Sequence, residues 1–300
     1  MKQRTINQRH LKKNLFIFCV FLIPTCHFLL FWLYTNISAI LMAFQDKMGN
    51  WVGLEHFKWY ISDFFAEQPK LKATEALINT FKFWLFGILV ETPVALTISY
   101  FFYKKIKGHQ VFNVILYLPC IISSIIMTTV FKNTISSSGP LAEIWEKMGW
   151  GRFPLLLYNS KYAFNTLIFY NIWTGFGTSL IIYTAAMKKI PPEVTESAML
   201  DGAGMWTEFR YIVWPLIWQT FSTFLIIGIG NIFTASGPVL LLTGGDYGTQ
   251  TISFTIFQQF KLFNQGNRAS AIGLLYSSIA LPIVFTVRRL VNKVDSGAEY

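Results

Sequence analysis

The sequence predicts an all-α integral membrane protein of about six transmembrane helices. Three observations carry this. The chain of 300 residues is 53% hydrophobic and 17% aromatic but only 13% charged, whereas a soluble domain is about 25% charged. Its apolar residues gather in long blocks, with Asp, Glu, Lys and Arg almost entirely between them. Six blocks approach or exceed the roughly 20 residues a helix needs to cross a bilayer core: Leu15–Tyr34, Phe83–Tyr103, Val111–Phe131, Ala163–Met187, Leu216–Leu242 and Ala269–Val287. Lipid offers the backbone no hydrogen-bond partners, so helices are the expected solution. A barrel needs short alternating strands, and these runs are too long and too evenly apolar. Length alone would allow two ordinary domains; the block pattern reads as one membrane domain over 15–290, after a segment 1–14 and before a tail 291–300.

The first block follows a basic start, Lys2, Arg4, Arg9, Lys12 and Lys13. A cleaved signal peptide has a shorter apolar region and small residues at the cut. This block runs on through Phe31, Trp32 and Tyr34, which favours a retained helix. With the N-terminus cytoplasmic, the inner segments net +8, the outer segments +3, and Glu91 supplies the remaining −1 of the total +10. That is the positive-inside pattern, with both termini in the cytoplasm, and it explains the basic excess without a nucleic-acid partner.

The second block carries one formal charge, Glu91. A carboxylate at mid-bilayer costs about 2.5–3.5 kcal/mol on insertion scales, so Glu91 faces protein or water. A structural pairing, a neutral protonated state and a substrate contact all satisfy that requirement. Cys19, Cys26 and Cys120 fall inside predicted spans, are odd in number and have no metal or redox spacing; they read as small buried apolar residues. Between the third and fourth blocks, Leu141, Ile144, Trp145 and Met148 lie on one face of a helix, too short to span and suited to lying flat at the outer interface. After the fifth block, Thr243-Gly244-Gly245-Asp246-Tyr247-Gly248 reads as a turn.

A membrane site for a polar solute needs apolar or aromatic faces and a few amides or hydroxyls. The fourth block offers Tyr170, Asn171, Trp173 and Thr174, and the fifth Asn231, Phe233, Thr234 and Ser236. Close helix packing, which small and polar residues also serve in membranes, explains the fifth-block set equally well.

The segment 188–215 is the most informative. Pro192 suits the first turn of a helix. Met199, Leu200, Ala203 and Trp206 follow at helical spacing, Gly202 and Gly204 permit a sharp break, and a second short helix is expected from Met205 to Val213, ending before Pro215. Asp201 is placed to cap that second helix. Such a helix–turn–helix suits insertion into a partner's groove; an amphipathic loop resting on the inner leaflet is the other reading.

Glu196-Ser197-Ala198, Asp201-Gly202-Ala203, Phe209, Ile212 and Pro215, with Ile190-Pro191 before them, resemble the signature loop of permease subunits in binding-protein-dependent ABC importers, with Ser197 where the family has alanine. Gly53-Leu54-Glu55-His56-Phe57 and Leu242-Thr243-Gly244-Gly245 are similar to motifs of the carbohydrate-uptake permeases of the maltose, glycerol-phosphate and multiple-sugar type. The resemblance spans about 43–289. It implies the type I ABC importer permease fold in a bacterial inner membrane, and a translocation pathway for a sugar or oligosaccharide. The partners it implies are a second, related permease, two ATPase subunits, an extracellular solute-binding protein and membrane lipid. It further implies an ATPase-coupling loop of Glu196, Ala198, Asp201, Gly202, Ala203, Met205, Trp206 and Phe209, and substrate contacts on the fifth helix at Phe233, Thr234, Ala235 and Ser236.

No phosphate-binding Gly-x-x-x-x-Gly-Lys-Ser/Thr loop occurs. His10, His27, His56 and His109 are scattered without zinc spacing. The chain is therefore expected to hold no metal or cofactor and to perform no catalysis, with ATP and Mg2+ bound by the partner ATPases. The alternatives are an ABC permease for a non-sugar solute and a membrane scaffold that transports nothing.

Overall fold

The computed structural model describes residues 2–66, 70–234 and 238–295. Among the described residues the structure is helical, apart from turns and one isolated bridge between Gln45 and Trp51. Four helices are long and apolar enough to cross a membrane: Lys12–Met42, Ala73–Tyr103, Met205–Gly230 and Gly266–Lys293. A fifth follows if His109–Ile121 and Ser124–Thr134 form one broken span. The remaining expected span, Ala163–Met187, has 25 residues, about 37 Å of helix. It is too polar to join the others on composition. It packs against parts of Ala73–Tyr103, His109–Ile121 and Met205–Gly230, and its polar Asn171, Thr174 and Ser179 are half-buried within the chain.

The chain divides into two compact units, Met1–Ser62 with Gln259–Leu275, and Asp63–Gln258 with Tyr276–Tyr300. In the first unit, helix α1 runs over 2–42 with a π-helical turn at Phe28–Leu33. It starts before, and ends after, the expected 15–34 because Lys12–Lys13 and Thr35–Met42 contain no helix breaker. None of its most apolar stretch is buried within the chain, and Cys19 and Cys26 are exposed on it rather than in a core. The turn after it is held by Asp46, whose carboxylate accepts from the backbone N–H groups of Met48 and Asn50, both at 2.8 Å, and from Asn50 Nδ2 at 3.0 Å. These bonds favour the ionised form and, with the Asn50 side chain first, hold the Asp46 carboxyl below its ordinary range. The Gly53–Phe57 motif forms the entry to helix α2, Glu55–Phe64. Its His56 ring meets the Gln45 carbonyl at 2.9 Å and Phe57 packs on Phe44. Asn267 Nδ2 donates into the carbonyls of Met42, Gln45 and Asp46.

The second unit is built around α3 (Ala73–Tyr103), α4 (His109–Ile121), α5 (Ser124–Thr134), α6 (Pro140–Lys147), α7 (Ala163–Met187), α8 (Pro192–Leu200) and α9 (Met205–Gly230). Helix α7 contributes to both core clusters. Leu167, Ile168 and Tyr170 meet Phe83, Met127 and Phe131 in one; Leu180, Tyr183 and Met187 meet Leu96, Tyr100, Val213 and Ile217 in the other. A side chain at Gly177 would place its Cβ 2.7 Å from Cys120 Sγ and 2.9 Å from the Leu116 carbonyl, so glycine sets the close approach of α4 to α7.

The expected third span is not straight. Helices α4 and α5 meet at 106°, because Pro119 weakens the last turn of α4 and Ile122 and Ser123 are extended. The fifth expected span also stops early, at Gly230, and is followed by a 3-10 turn Ile232–Thr234 and the short helix α10, Val239–Leu242. The last helix, α11, runs over Gly266–Asp295, past the expected boundary at 290. The glycine-rich turn after α10 is fastened by Asn79, whose buried amide donates to the carbonyls of Gly248 and Gln250, both at 2.9 Å. Asn79→Leu leaves both without that donor, and a loss of about 1–3 kcal/mol is expected, read as a lower melting temperature of the detergent-purified protein; an unchanged melt would show that water replaces the amide.

Among the described residues Pro24, Pro93, Pro215 and Pro282 sit inside continuous helices, and Pro93 and Pro215 each follow a π-helical turn by one residue. Before Pro93 the turn is Gly87–Glu91, closed by Thr92 N–H to the Gly87 carbonyl. Before Pro215 it is Phe209–Val213, closed by Trp214 N–H to the Phe209 carbonyl. The wider turn shifts the carbonyls that a proline ring would strike and lets the helix continue. The expected second short helix ending before Pro215 is therefore the first part of α9.

Candidate functional site: the Pro192–Phe209 loop and the neighbouring cavities

Helix α8 begins at Pro192 and buries only Thr195 and Ala198 against the body. Its Glu193, Val194, Glu196, Met199 and Leu200 are exposed, Leu200 at 88%. The chain then reverses through Gly202 at φ +81°, a left-handed conformation that side-chain-bearing residues rarely adopt. Gly204 occupies the N-cap of α9 without a side-chain cap. Asp201 ends α8 and does not cap the next helix, because the Gly202–Gly204 turn intervenes between them. Ala203 is half-buried, with its N–H on the Ala198 carbonyl at 2.9 Å. Met205 and Trp206 are exposed, Trp206 at 72%, and Trp206 stacks on half-buried Phe209. Two short arms thus present Met199, Leu200, Met205 and Trp206 outward, with Glu193, Glu196 and Asp201 beside them.

The second arm is fastened to α3 by groups that sequence reading missed. Glu208 is 2% exposed, and its carboxylate receives Lys104 Nζ at 2.8 and 3.0 Å. The Tyr100 hydroxyl donates to the Met205 carbonyl at 3.0 Å, and the Tyr100 ring packs on Phe209 with centroids 5.1 Å apart. The only sequence signal was that an acid and a lysine stand on segments assigned to the same side; 104 residues separate them.

The break between α4 and α5 opens a cavity of about 450 Å³. It is lined by Cys120, Ser124, Thr128, Tyr170, Asn171 and Thr174, among others, and by Pro238 and Leu241 from the segment after α9. The Tyr170 and Thr128 hydroxyls are 3.0 Å apart. Irregular backbone at membrane depth is tolerated where it lines such a cavity. Trp173 points elsewhere, into a more apolar cavity of about 530 Å³ with Phe131 and Phe169. Asn231 and Thr234 are exposed and the Phe233 ring packs, tilted, on Tyr276 with centroids 4.8 Å apart; none of the three lines either cavity. Ala235 and Ser236 lie outside the described residues. Of the residues expected to contact solute, the structure brings together Tyr170, Asn171 and Thr174 at the helix break.

A family model described as the inner membrane component of binding-protein-dependent transport systems matches residues 84–299, which include the loop and both cavities. The chain belongs to this family. This permease is 26% identical over 253 residues to a probable starch-degradation-product transport permease, AmyD, of Thermoanaerobacterium thermosulfurigenes, covering 82% of this chain and 84% of that one. It is 24% identical over 286 residues to the arabinooligosaccharide transport permease AraP of Bacillus subtilis, covering 90% and 85%. A crystal structure of a bacterial ABC transporter that imports the acidic polysaccharide alginate superposes with a TM-score of 0.83 at 25% identity, over 95% of this permease and 98% of that chain. A second structure of an alginate transporter, in complex with its pentasaccharide-bound periplasmic protein, gives 0.82 at 25% identity, over 96% and 97%. The permease therefore has the type I importer fold and is a multi-pass inner-membrane protein that works with a solute-binding protein.

Proposed function

We infer that this permease forms part of the translocation pathway for a sugar or oligosaccharide, delivered by an extracellular solute-binding protein, and couples to ATP hydrolysis through the loop Glu196–Phe209. The carrying observation is the loop itself. Exposed Met199, Leu200, Met205 and Trp206 make an apolar surface rimmed by carboxylates, on arms fixed to the body by Ala198, Glu208 and Phe209. Large apolar side chains on a fixed turn act as anchors when buried in a partner's pocket. The partner is an ATPase subunit, one of two, which binds the ATP and Mg2+; a second, related permease completes the pathway. The starch-product and arabinooligosaccharide relatives and the alginate neighbour supply the carbohydrate class, and the 450 Å³ cavity beside Tyr170 and Asn171 supplies hydroxyls and an amide at the helix break. Co-purification with an ATPase subunit, and ATP hydrolysis stimulated by a sugar-loaded binding protein in proteoliposomes, are expected. Stimulation only by a non-carbohydrate solute would replace the substrate class, and no ATPase partner would leave a scaffold.

Both termini and the loop are on the cytoplasmic side, in keeping with the +8 inner and +3 outer charge. In a cysteine-free background, single cysteines at Lys12, Lys105, Leu200 and Lys293 should resist an impermeant thiol reagent in intact cells, and those at Lys70, Lys147 and Asn264 should react. Labelling at Leu200 from outside would overturn the coupling role.

A further inference from the structure

A separate cavity of about 240 Å³ lies between α3, α7 and α9, and the function above does not use it. Glu91, on the π-helical turn before Pro93, lines it. Ser179 donates its hydroxyl to Glu91 Oε1 at 2.9 Å, and no protein group donates to Oε2 among the described residues. The walls are largely aromatic and aliphatic, with Trp84, Tyr183, Phe221 and Phe224 among them, and among the described residues no Lys, Arg or His lines the cavity. Glu91 is only partly buried, so its free oxygen is open to the cavity. An ionisable side chain within a span marks a pathway or a partner, and here no cation is supplied as partner.

The geometry points to a second contact site for the transported solute in this cavity: a polar foothold for one neutral sugar ring, with Glu91 and Ser179 bonding its hydroxyls and the aromatic rings covering its apolar face. The inference rests on the carbohydrate reading above. A carboxyl group both accepts from and, when protonated, donates to a hydroxyl, so it serves a sugar in either state. Small-molecule sites pair apolar and aromatic walls with a few placed polar groups, as this one does. The volume, below the roughly 300 Å³ at which such sites usually begin, suits a single ring. The lining also defines what is refused. A uronic acid would bring a carboxylate into a site with no cation to pair it, and an unpaired buried charge is strongly unfavourable. The site therefore selects neutral rings, unlike the acidic alginate named for the structural neighbour.

The test uses the whole transporter with its binding protein in proteoliposomes, and uptake of radiolabelled neutral oligosaccharides and oligogalacturonates. The parent is expected to take up neutral sugars and at least tenfold less of the acidic ones. Glu91→Ala and Ser179→Ala should cut neutral uptake about tenfold and threefold, with Glu91→Gln, which keeps the shape, between the parent and Glu91→Ala. Glu91→Lys should narrow the preference against acidic sugars. Equal uptake of both classes by the parent, or parental rates in Glu91→Gln and Ser179→Ala together with an unchanged preference in Glu91→Lys, would overturn the site while leaving the carbohydrate reading intact. A parent that takes up a non-carbohydrate solute and no sugar would instead defeat that reading. Should Glu91→Ala fail to assemble, the Gln and Ser179 variants decide.

Discussion

Glu208→Ala is expected to lower the melting temperature of the assembled transporter and to uncouple ATP hydrolysis from uptake. The truncation leaves the Lys104 ammonium, 19% exposed, without its carboxylate. Breaking a buried pair from one side typically costs 3–5 kcal/mol; because the lysine head reaches some solvent, about 3 kcal/mol is expected. At about 2–4 °C per kcal/mol for chains approaching this size, the midpoint falls by roughly 6–12 °C. The functional effect follows from what the pair joins: with it gone, the loop's second arm is held to α3 only by the Tyr100–Met205 hydrogen bond and ring packing. Hydrolysis per sugar imported should then rise several-fold. Lys104→Glu combined with Glu208→Lys should recover part of both properties, since the pair is re-formed with reversed sign. A Glu208→Ala transporter that melts and couples like the parent would show that the pair does not hold the arm.

Trp206→Ala should release the ATPase while leaving the permease folded. The ring is mostly exposed and touches its own chain chiefly through Phe209, so its loss costs little internally. An anchor buried in a partner's pocket is worth 2 kcal/mol or more on truncation, about thirtyfold in affinity. Pull-down of the ATPase should fall accordingly, with sugar-stimulated hydrolysis lost. Gly202→Trp should act on the same interface by another route. A Cβ at Gly202 meets nothing within 4 Å, so the interior is untouched; the φ of +81° strains any L-residue by about 1–2 kcal/mol, and the indole stands where the partner would seat. If both variants retain the ATPase and hydrolyse in step with uptake, the loop is not the coupling element.

The spans were legible because a bilayer demands long apolar runs, and Pro192 and Gly202 announced the loop's start and its reversal. What was misread shares one cause, a local rule overridden by neighbours. Pro215 read as a stop, yet a π turn absorbs it. Val111–Phe131 read as one span, and nothing in its hydropathy marks the bend at Ile122 and Ser123. Asp201 had the right chemistry for a cap and the wrong place, since the turn put Gly204 there. Of the expected pathway residues, Tyr170 and Asn171 share a cavity while Trp173 faces another, a distinction that depends on which side of α7 meets the break. The Lys104–Glu208 pair lay beyond local reading altogether, because only the packed helices bring its ends together.

The continuity of α9 from Met205 to Gly230 has a mechanical consequence. Its 26 residues make a rod about 39 Å long, one end in the loop and the other beside the segment that closes the helix-break cavity. The π turn at Phe209–Val213 and Pro215 is its one soft point; because the helix runs on through it, a push at one end is passed on as tilt or rotation of the other. Displacement of Trp206 is thereby carried along one helix to Phe221 and Gly228, two of the residues that wall the Glu91 cavity. The proposed docking surface and the proposed solute site thus share one helix, and no separate element has to relay between them.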